Sequence, residues 1–400
     1  MNRITTTITF SMLLLVSCNR GYKDSFVSDV NIDLTQKDCK PVEAKIESIS
    51  VVEFDIDDSW KYVSVPLMTK TDSSFVLCDA DYYHLLIYDL KGKKKKDRHI
   101  KGRGRGEVLG ISTLFLNDES VCIYDGGMGN LLFFDGDGNY KSKWTAEVHD
   151  DLLYGIDEHY VGLYSFRSEG NNYVAVYDEQ GKTRGKYFTL PKYLRDNPIH
   201  FGQTPNSYIF KDTVRFYMPF DYNIFSVTHN SFVSTYKFIP ENPIPSTLLT
   251  GEVAADGSDE LLSIVLSEGY DAMFQCMFET DRYLYFVYFS KGKYKNCLFD
   301  KVEKNLYRNE YPDEYFNKNK VSGMSTADVW QYLIYGLTPL YADGNDLYVH
   351  FSYDGYEMLK DCADKLDDRL SSLLNNMERY ITSNKLATDE VMILKVSFAD

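Results

Sequence analysis

Three groups of residues in this 400-residue chain are of types that bind or react. The first is the run Lys101-Gly102-Arg103-Gly104-Arg105-Gly106-Glu107. Two guanidinium groups on a glycine-rich loop can hold an oxyanion through paired N–H donors, here at the mouth of a central channel. The same glycines can serve only to bend the backbone tightly, with Glu107 pairing to Arg103 or Arg105. The run is not a dinucleotide fingerprint, because that needs a glycine turn opening a helix, and strand residues follow. The second group is Asp79, Asp81, Asp125 and Asp221, each following an apolar strand. Asp in that place forms turns. Converging on a channel, two or three of them would offer oxygens to Ca²⁺, the one candidate ion. Calcium takes about six to eight oxygens, however, and no compact loop supplies them. The third group is aromatic: Tyr82, Tyr83, Phe201, Phe220, Tyr222 and Tyr270 stand in loops and could stack on sugar rings or peptide side chains. The candidate ligand-binding residues are therefore Arg103, Arg105, Glu107, Asp79, Asp125 and Tyr222. No catalytic residue, resident cofactor or metal ligand is assigned. The seven histidines are dispersed without H-x-x-x-H spacing, and no G-x-S-x-G elbow is present.

Charge narrows the partners. The formal net charge is -16 at pH 7, which argues against nucleic acid, since phosphate binding needs a cationic face. One basic stretch stands out against that background. Lys91, Lys93, Lys94, Lys95, Lys96, Arg98, Lys101, Arg103 and Arg105 place nine cations in 15 residues. Such runs are usually solvated, here as an outer hairpin. Contact with anionic lipid headgroups is the sharper alternative.

The elements that must carry these groups repeat six times. An apolar strand, a polar turn, a second apolar strand and an Asp or Gly turn recur in order. The pairs are Phe75–Cys78 with Leu85–Asp89, Val121–Tyr124 with Leu131–Asp135, and Tyr160–Tyr164 with Tyr173–Asp178. They continue as Val214–Tyr217 with Asn223–Ser226, Leu284–Tyr288 with Cys297–Asp300, and Leu347–Phe351 with Val391–Leu394. A sheet with one wet face would alternate apolar and polar residues. These strands are nearly continuously apolar, as strands covered on both faces are. Asp89 and Asp135 stand 46 residues apart and Asp135 and Asp178 stand 43 apart, one four-stranded meander per repeat. The expected fold is all-β: a six-bladed β-propeller over residues 40–400.

Three departures from regularity follow. A Pro- and Ser-bearing insertion occupies residues 240–265. The last blade is interrupted by residues 355–385, where Leu359, Cys362, Leu366, Leu370, Leu373 and Met377 recur at helical steps. That spacing predicts an amphipathic helical insertion, packed as a cap or offered as a docking face. Finally, Ile46–Phe54 has no local partner, and an open ring would expose sheet edges. It is expected to complete the sixth blade beside the C-terminal strand.

Residues 1–17 read as a secretory signal with Arg3, an apolar stretch and Leu15-Val16-Ser17-Cys18. Small residues before a Cys form a lipobox, so Cys18 is the expected lipidation site, and residues 18–39 are the expected lipidated start and polar tether. The partner of that anchor would be outer-membrane lipid, with periplasmic and surface faces both open. Removal of 1–17 takes away only Arg3 among charged residues and leaves -17. Six cysteines remain: Cys39, Cys78, Cys122, Cys276, Cys297 and Cys362. An oxidising compartment permits disulfides, but Cys78, Cys122 and Cys297 lie in apolar strands and fit buried thiols better.

The Lys101–Glu107 run resembles the G-R-G-P-G-E stretch of the six-bladed β-propeller lipoproteins of Bacteroidota, of NHL-like architecture. Arg105 stands where that stretch has Pro. The lipobox, the Asp-x-x-Gly turns, the late helix and the apolar last strand are similar too, so the likeness spans nearly the whole chain. It implies an envelope-anchored propeller and no particular chemistry. Two functions are expected from these readings. One is a non-catalytic binding or scaffold module for a glycan, peptide or protein partner. The alternative is a propeller hydrolase or lyase with carboxylates, and Ca²⁺ if any ion, at the channel mouth.

Overall fold

The structure is a computed structural model that describes residues 30–57, 66–145, 151–163, 172–189, 207–218, 220–229, 231–250, 258–310, 324–384, 386 and 392–400. The signal sequence and Cys18 lie outside these residues. The chain enters through β1 (Val30–Asp33) and β2 (Ile46–Val51) and then builds six sheets in order. Blade one is β3 (Leu67–Lys70), β4 (Ser74–Asp79), β5 (His84–Asp89) and β6 (Lys94–His99). Blade two is β7 (Thr113–Asn117), β8 (Ser120–Asp125), β9 (Asn130–Phe134) and β10 (Tyr140–Thr145). Blade three is β11 (Leu152–Ile156), β12 (His159–Leu163), β13 (Asn172–Asp178) and β14 (Thr183–Thr189). Blade four is β15 (Ser207–Phe210), β16 (Thr213–Tyr217), β17 (Asn223–Val227) and β18 (Phe232–Ile239). Blade five is β19 (Ala272–Glu279), β20 (Tyr283–Ser290), β21 (Lys293–Asp300) and β22 (Leu306–Glu310). Blade six is β23 (Thr338–Asp343), β24 (Asp346–Phe351) and β25 (Met392–Phe398), with β2 as its fourth strand.

Each blade is an antiparallel meander, and the first strands of neighbouring blades meet: β3 with β7, β7 with β11, β15 with β19, β19 with β23, and β23 with β3. They form the inner wall. The second and third strands are the continuously apolar ones. β4, for example, is buried at all six positions. Aromatic and aliphatic side chains between blades make the core. Phe216, Phe225 and Phe232 stack at centroid separations of 5.4 to 6.1 Å within blade four, a geometry worth about 0.5–1.5 kcal/mol per pair beyond area burial.

Closure is as expected. β2 runs antiparallel to β25, with Ile49 opposite Val396 and Val51 opposite Leu394. The first and last parts of the chain thus share one sheet, and no blade face is left open there. The expected tether is corrected at its C-terminal part. Val30–Asp33 forms β1, paired in parallel to the outer strand of blade four. Lys40 then bridges Tyr307 on the outer strand of blade five, and Arg308 donates to the carbonyls of Leu34 and Gln36. Beyond β2, Asp55 donates to the carbonyl of Gly92 in blade one's outer turn. Residues 30–57 therefore form a belt over the rims of blades four, five, six and one. The physical reason is that outer strands present unpaired backbone groups, and the belt satisfies them.

The insertions are helical. The stretch 240–265 carries α1 (Ser246–Thr250) and the start of α2 (Ser258–Ser267). A helix not read from sequence, α3 (Thr326–Tyr335), precedes blade six, opened by a capping box between Ser325 and Asp328. The single amphipathic helix expected over 355–385 is in fact α4 (Tyr353–Asp361), a 3-10 turn (Ala363–Lys365) and α5 (Asp368–Asn384). α5 packs on β2. It buries Leu370, Leu373 and Met377, and Arg369 donates to the carbonyls of Glu43 and Ile46 at 2.9 and 2.7 Å. The insertion is a clamp over the closing strand.

Candidate functional site

The link between β6 and β7 doubles back before entering blade two. Gly102 N–H donates to the Val108 carbonyl, and Val108 N–H to that of Ile100, at 2.9 and 2.8 Å. Ile100 and Val108 are fully buried beneath. Residues 102–107 therefore stand out as a loop on a fixed base. Glu107 holds its interior: Oε2 accepts the Gly104 N–H at 2.7 Å. The expected pairing of Glu107 with Arg103 or Arg105 is not found among the described ion pairs. Gly106, at φ +76°, lies against Arg98 and Tyr140, with only 2.9 Å between each and the place a Cβ would take. Glycine is required there for both backbone angle and space.

Beneath the loop is a cleft of about 310 Å³. The loop supplies Arg103, Arg105 and Glu107. Blade two supplies Asp125, Met128, Asn130, Leu132, Tyr140 and Lys143. These come from the second, third and fourth strands of that blade and, for Met128, from the turn between β8 and β9. The cleft thus lies in the seam between blades one and two, on the outer side. This corrects the expectation of a site at the channel mouth: the link bows outward before returning to the innermost strand. Arg105 lies over the Tyr140 ring at 5.3 Å. A cation over an aromatic ring is attracted by the ring's face. Arg103 and Lys143 are exposed, and no ion pair joins them or Arg105 to a carboxylate among the described residues. Lys143 and Tyr140 were not separable in sequence as site residues. Simple alternation would put residues three apart on opposite faces. A bulge between Tyr140 and Ser142 shifts the register, setting Tyr140 opposite Phe134 and Lys143 opposite Leu132.

The other candidates have structural duties. Asp125 lies at the base of the cleft with its carboxylate saturated: Oδ2 accepts Leu109 N–H at 2.8 Å, and Oδ1 accepts those of Gly110 and Met128 at 3.1 Å. Asp79 Oδ1 accepts the N–H groups of Asp81 and Tyr82 in the blade-one turn. Asp221 accepts from Asn223 in the same manner. Burial raises its pKa, outweighing those bonds. These carboxylates close separate turns on separate blades. Among the described residues no group of three or more His, Cys, Asp or Glu side chains is placed to hold a metal ion. Tyr222 is far from the seam, on blade four. Its hydroxyl donates to the Asp271 carbonyl and accepts the Ile244 N–H, both at 2.8 Å, tying the insertion to blade five. Burial pushes its pKa up to about 12. Tyr83 braces the loop instead of awaiting a ligand: its hydroxyl donates to the Leu109 carbonyl, and Lys101 lies over its ring at 4.7 Å. Phe220 is buried, and Phe201 lies outside the described residues.

The basic run is the outer strand of the β5–β6 hairpin and the loop that follows, and Lys91, Lys93, Lys95, Lys101, Arg103 and Arg105 are exposed as expected. Several of its cations also reach neighbours. Lys94 pairs with Asp57, Lys95 donates to the Ser74 hydroxyl at 2.9 Å, and Lys96 donates to Asn139. Arg98 lies over the Phe134 ring at 5.8 Å. The cations join blade one to the belt and to blade two.

A family model described as a domain of unknown function, DUF4934, matches residues 28–380. The chain belongs to the DUF4934 family. Among solved structures, this DUF4934 propeller is similar to an exported-protein candidate of Bacteroides fragilis. The two are 17% identical, with 93% of this chain and 99% of that one covered and a TM-score of 0.70. At that identity the likeness is one of fold. A member of the DUF4221 family from Bacteroides vulgatus is 8% identical over 88% of this chain and 97% of its own, at a TM-score of 0.46. An inactive virginiamycin B lyase from Staphylococcus aureus is 14% identical over 76% of this chain and 82% of its own, at 0.40. These two are too distant to bear on function. No curated protein matches the sequence. No helix among the described residues is long and apolar enough to cross a membrane.

Proposed function

We propose that this DUF4934 propeller is a binding module of the cell envelope, held to the outer membrane through an acylated Cys18. On this reading it holds a glycan, peptide or protein partner without transforming it. The observation that carries the binding role is the seam cleft. Arg103 and Arg105, on a loop fixed at its base, and Lys143, on β10, line one space, and no carboxylate pairs with them among the described residues. Guanidinium groups without a carboxylate partner beside a cavity are suited to recognition. The carboxylates that a hydrolase or lyase would use, Asp79 and Asp125, are engaged by backbone N–H groups, so no observation favours that alternative.

The anchor rests on the Leu15–Cys18 lipobox. Several acyl chains hold firmly, since each buried methylene contributes about 0.8 kcal/mol. Cys18→Ala is expected to move the protein from membrane to soluble fractions and to end incorporation of labelled palmitate. Palmitate still incorporated by that variant would refute the anchor. The binding role is tested by screening the purified mature protein against glycan and peptide arrays; a blank on both would remove it.

A further inference from the structure

The chemistry of the cleft is more specific than anion binding. We infer that it recognises one acidic sugar residue, carrying a single negative charge as a carboxylate or a sulfate ester. This inference rests on the binding-module reading and names the ligand class of the same site.

Charge is the first ground. Three cations line the cleft, Arg103, Arg105 and Lys143, against two carboxylates, Glu107 and Asp125. The balance is one positive charge, which one monoanion neutralises. A phosphomonoester, carrying about -1.5 to -2 at neutral pH, would leave the cleft negative in a chain whose net charge is already -16. Geometry is the second. The two carboxylates are turned to backbone N–H groups, Glu107 to Gly104 and Asp125 to Leu109, Gly110 and Met128. They shape the cleft, while the Arg103 and Arg105 guanidinium groups and the Lys143 ammonium are the donors that line it. Size and polarity are the third. At about 310 Å³ the cleft is at the small end of ligand cavities, which run roughly 300–1,000 Å³. Such cavities are usually lined by apolar side chains. This one divides its surface about evenly between polar groups, from the charged side chains, Asn130 and glycine backbone, and apolar groups, from Met128, Leu132 and Tyr140 among others. A hydroxyl-rich ring bearing one oxyanion matches that lining, and a hydrophobic peptide side chain does not.

The test uses the full mature chain and four probes in saturation-transfer NMR and calorimetry: glucuronate, N-acetylglucosamine 6-sulfate, glucose and glucose 6-phosphate. Glucuronate and the sulfated sugar are expected to bind, glucose not, and glucose 6-phosphate no more tightly than glucuronate. Arg103→Gln with Arg105→Gln should weaken the acidic sugars by roughly tenfold or more, as loss of charged hydrogen bonds does. The thermal melt should stay unchanged, because both side chains are exposed. Lys143→Gln is the second variant, should the double one misfold, and is expected to act in the same direction. Equal affinity for glucose and glucuronate, an affinity untouched by these variants, or a tenfold preference for glucose 6-phosphate would each overturn the inference. If an array ligand is lost with Arg103→Gln and Arg105→Gln but shows no preference for acid sugars, only this inference fails. If all four probes and both arrays are silent, the binding-module reading fails with it.

Discussion

Asp89, Asp135 and Asp178 perform one task in three successive blades. Each Oδ1 accepts two backbone N–H groups of its own turn: those of Lys91 and Lys93, of Asp137 and Asn139, and of Gln180 and Lys182. Gly92, Gly138 and Gly181 follow at φ +72° to +81°. For Asp89 the Lys93 N–H is the main cause that lowers the pKa. For Asp135 and Asp178 burial pushes upward, but the turn's N–H groups outweigh it, helped at Asp178 by Arg184. A carboxyl with a depressed folded pKa adds stability above its unfolded pKa, near 3.9, and that stability is lost as pH falls through the folded value. Asn in these places keeps an acceptor oxygen and cannot titrate. The triple variant Asp89→Asn, Asp135→Asn, Asp178→Asn is thus expected to melt below the parent at pH 7. The gap between the two should close as pH falls through the folded values of these carboxyls. Parallel melting curves from pH 7 to pH 2 would show that these turns carry no titrating stability.

Among the elements, β2 and α5 have the largest consequence for their size. β2 supplies the missing strand of blade six, and α5 covers it. Deleting residues 40–55 removes Val42, Ile46, Ile49 and Phe54 from the core. At about 1.5–3 kcal/mol for each buried side chain, the loss is on the order of 6–12 kcal/mol, before the edges of blades five and six are counted. The melting temperature is expected to fall by roughly 10 °C or more, and an unchanged melt would mean that the ring does not depend on this strand. Met377→Ala makes the milder comparison. It leaves β2 in place and is expected to cost about 2–5 kcal/mol as a core truncation on the clamp. The break between α4 and α5 has a local cause. Asp367 Oδ1 accepts the Leu370 N–H and so caps α5 afresh, while Oδ2 accepts the indole N–H of Trp330 from α3.

At the scale of the molecule, a ring closed by a strand and bound by a belt should open only as a whole. Cys78, Cys122 and Cys297 lie on blades one, two and five, each with no exposed surface, and burial raises the pKa of all three thiols. A buried thiol held in its neutral form reacts only when its surroundings unfold. The three are expected to react with a thiol reagent at one common rate, equal to that of global unfolding, whereas Cys39, half-buried on the belt, reacts sooner. Three separate rates, read by peptide mapping of labelled protein, would show that blades open one at a time.

Composition, strand pattern and turn chemistry were enough to indicate a six-bladed propeller. The Asp-x-x-Gly turns and apolar strand pairs are local signals, each decided within about ten residues of chain, and their repetition leaves little freedom in how they assemble. The closing role of Ile46–Phe54 was legible for a similar reason: an apolar strand without a neighbour must find one. What the sequence could not decide depends on contacts between distant segments. Residues 30–39 of the belt are polar enough to pass for a tether, and only the rims of blades four and five make them structure. Arg103 and Lys143 are 40 positions apart and meet because one loop bows outward and one bulge turns a strand. Arg98 and Lys96 share the charge of Arg103, yet they lie against the seam while Arg103 opens to it. Sequence determines which groups are present; the register and the packing of blades one and two decide which remain free to bind.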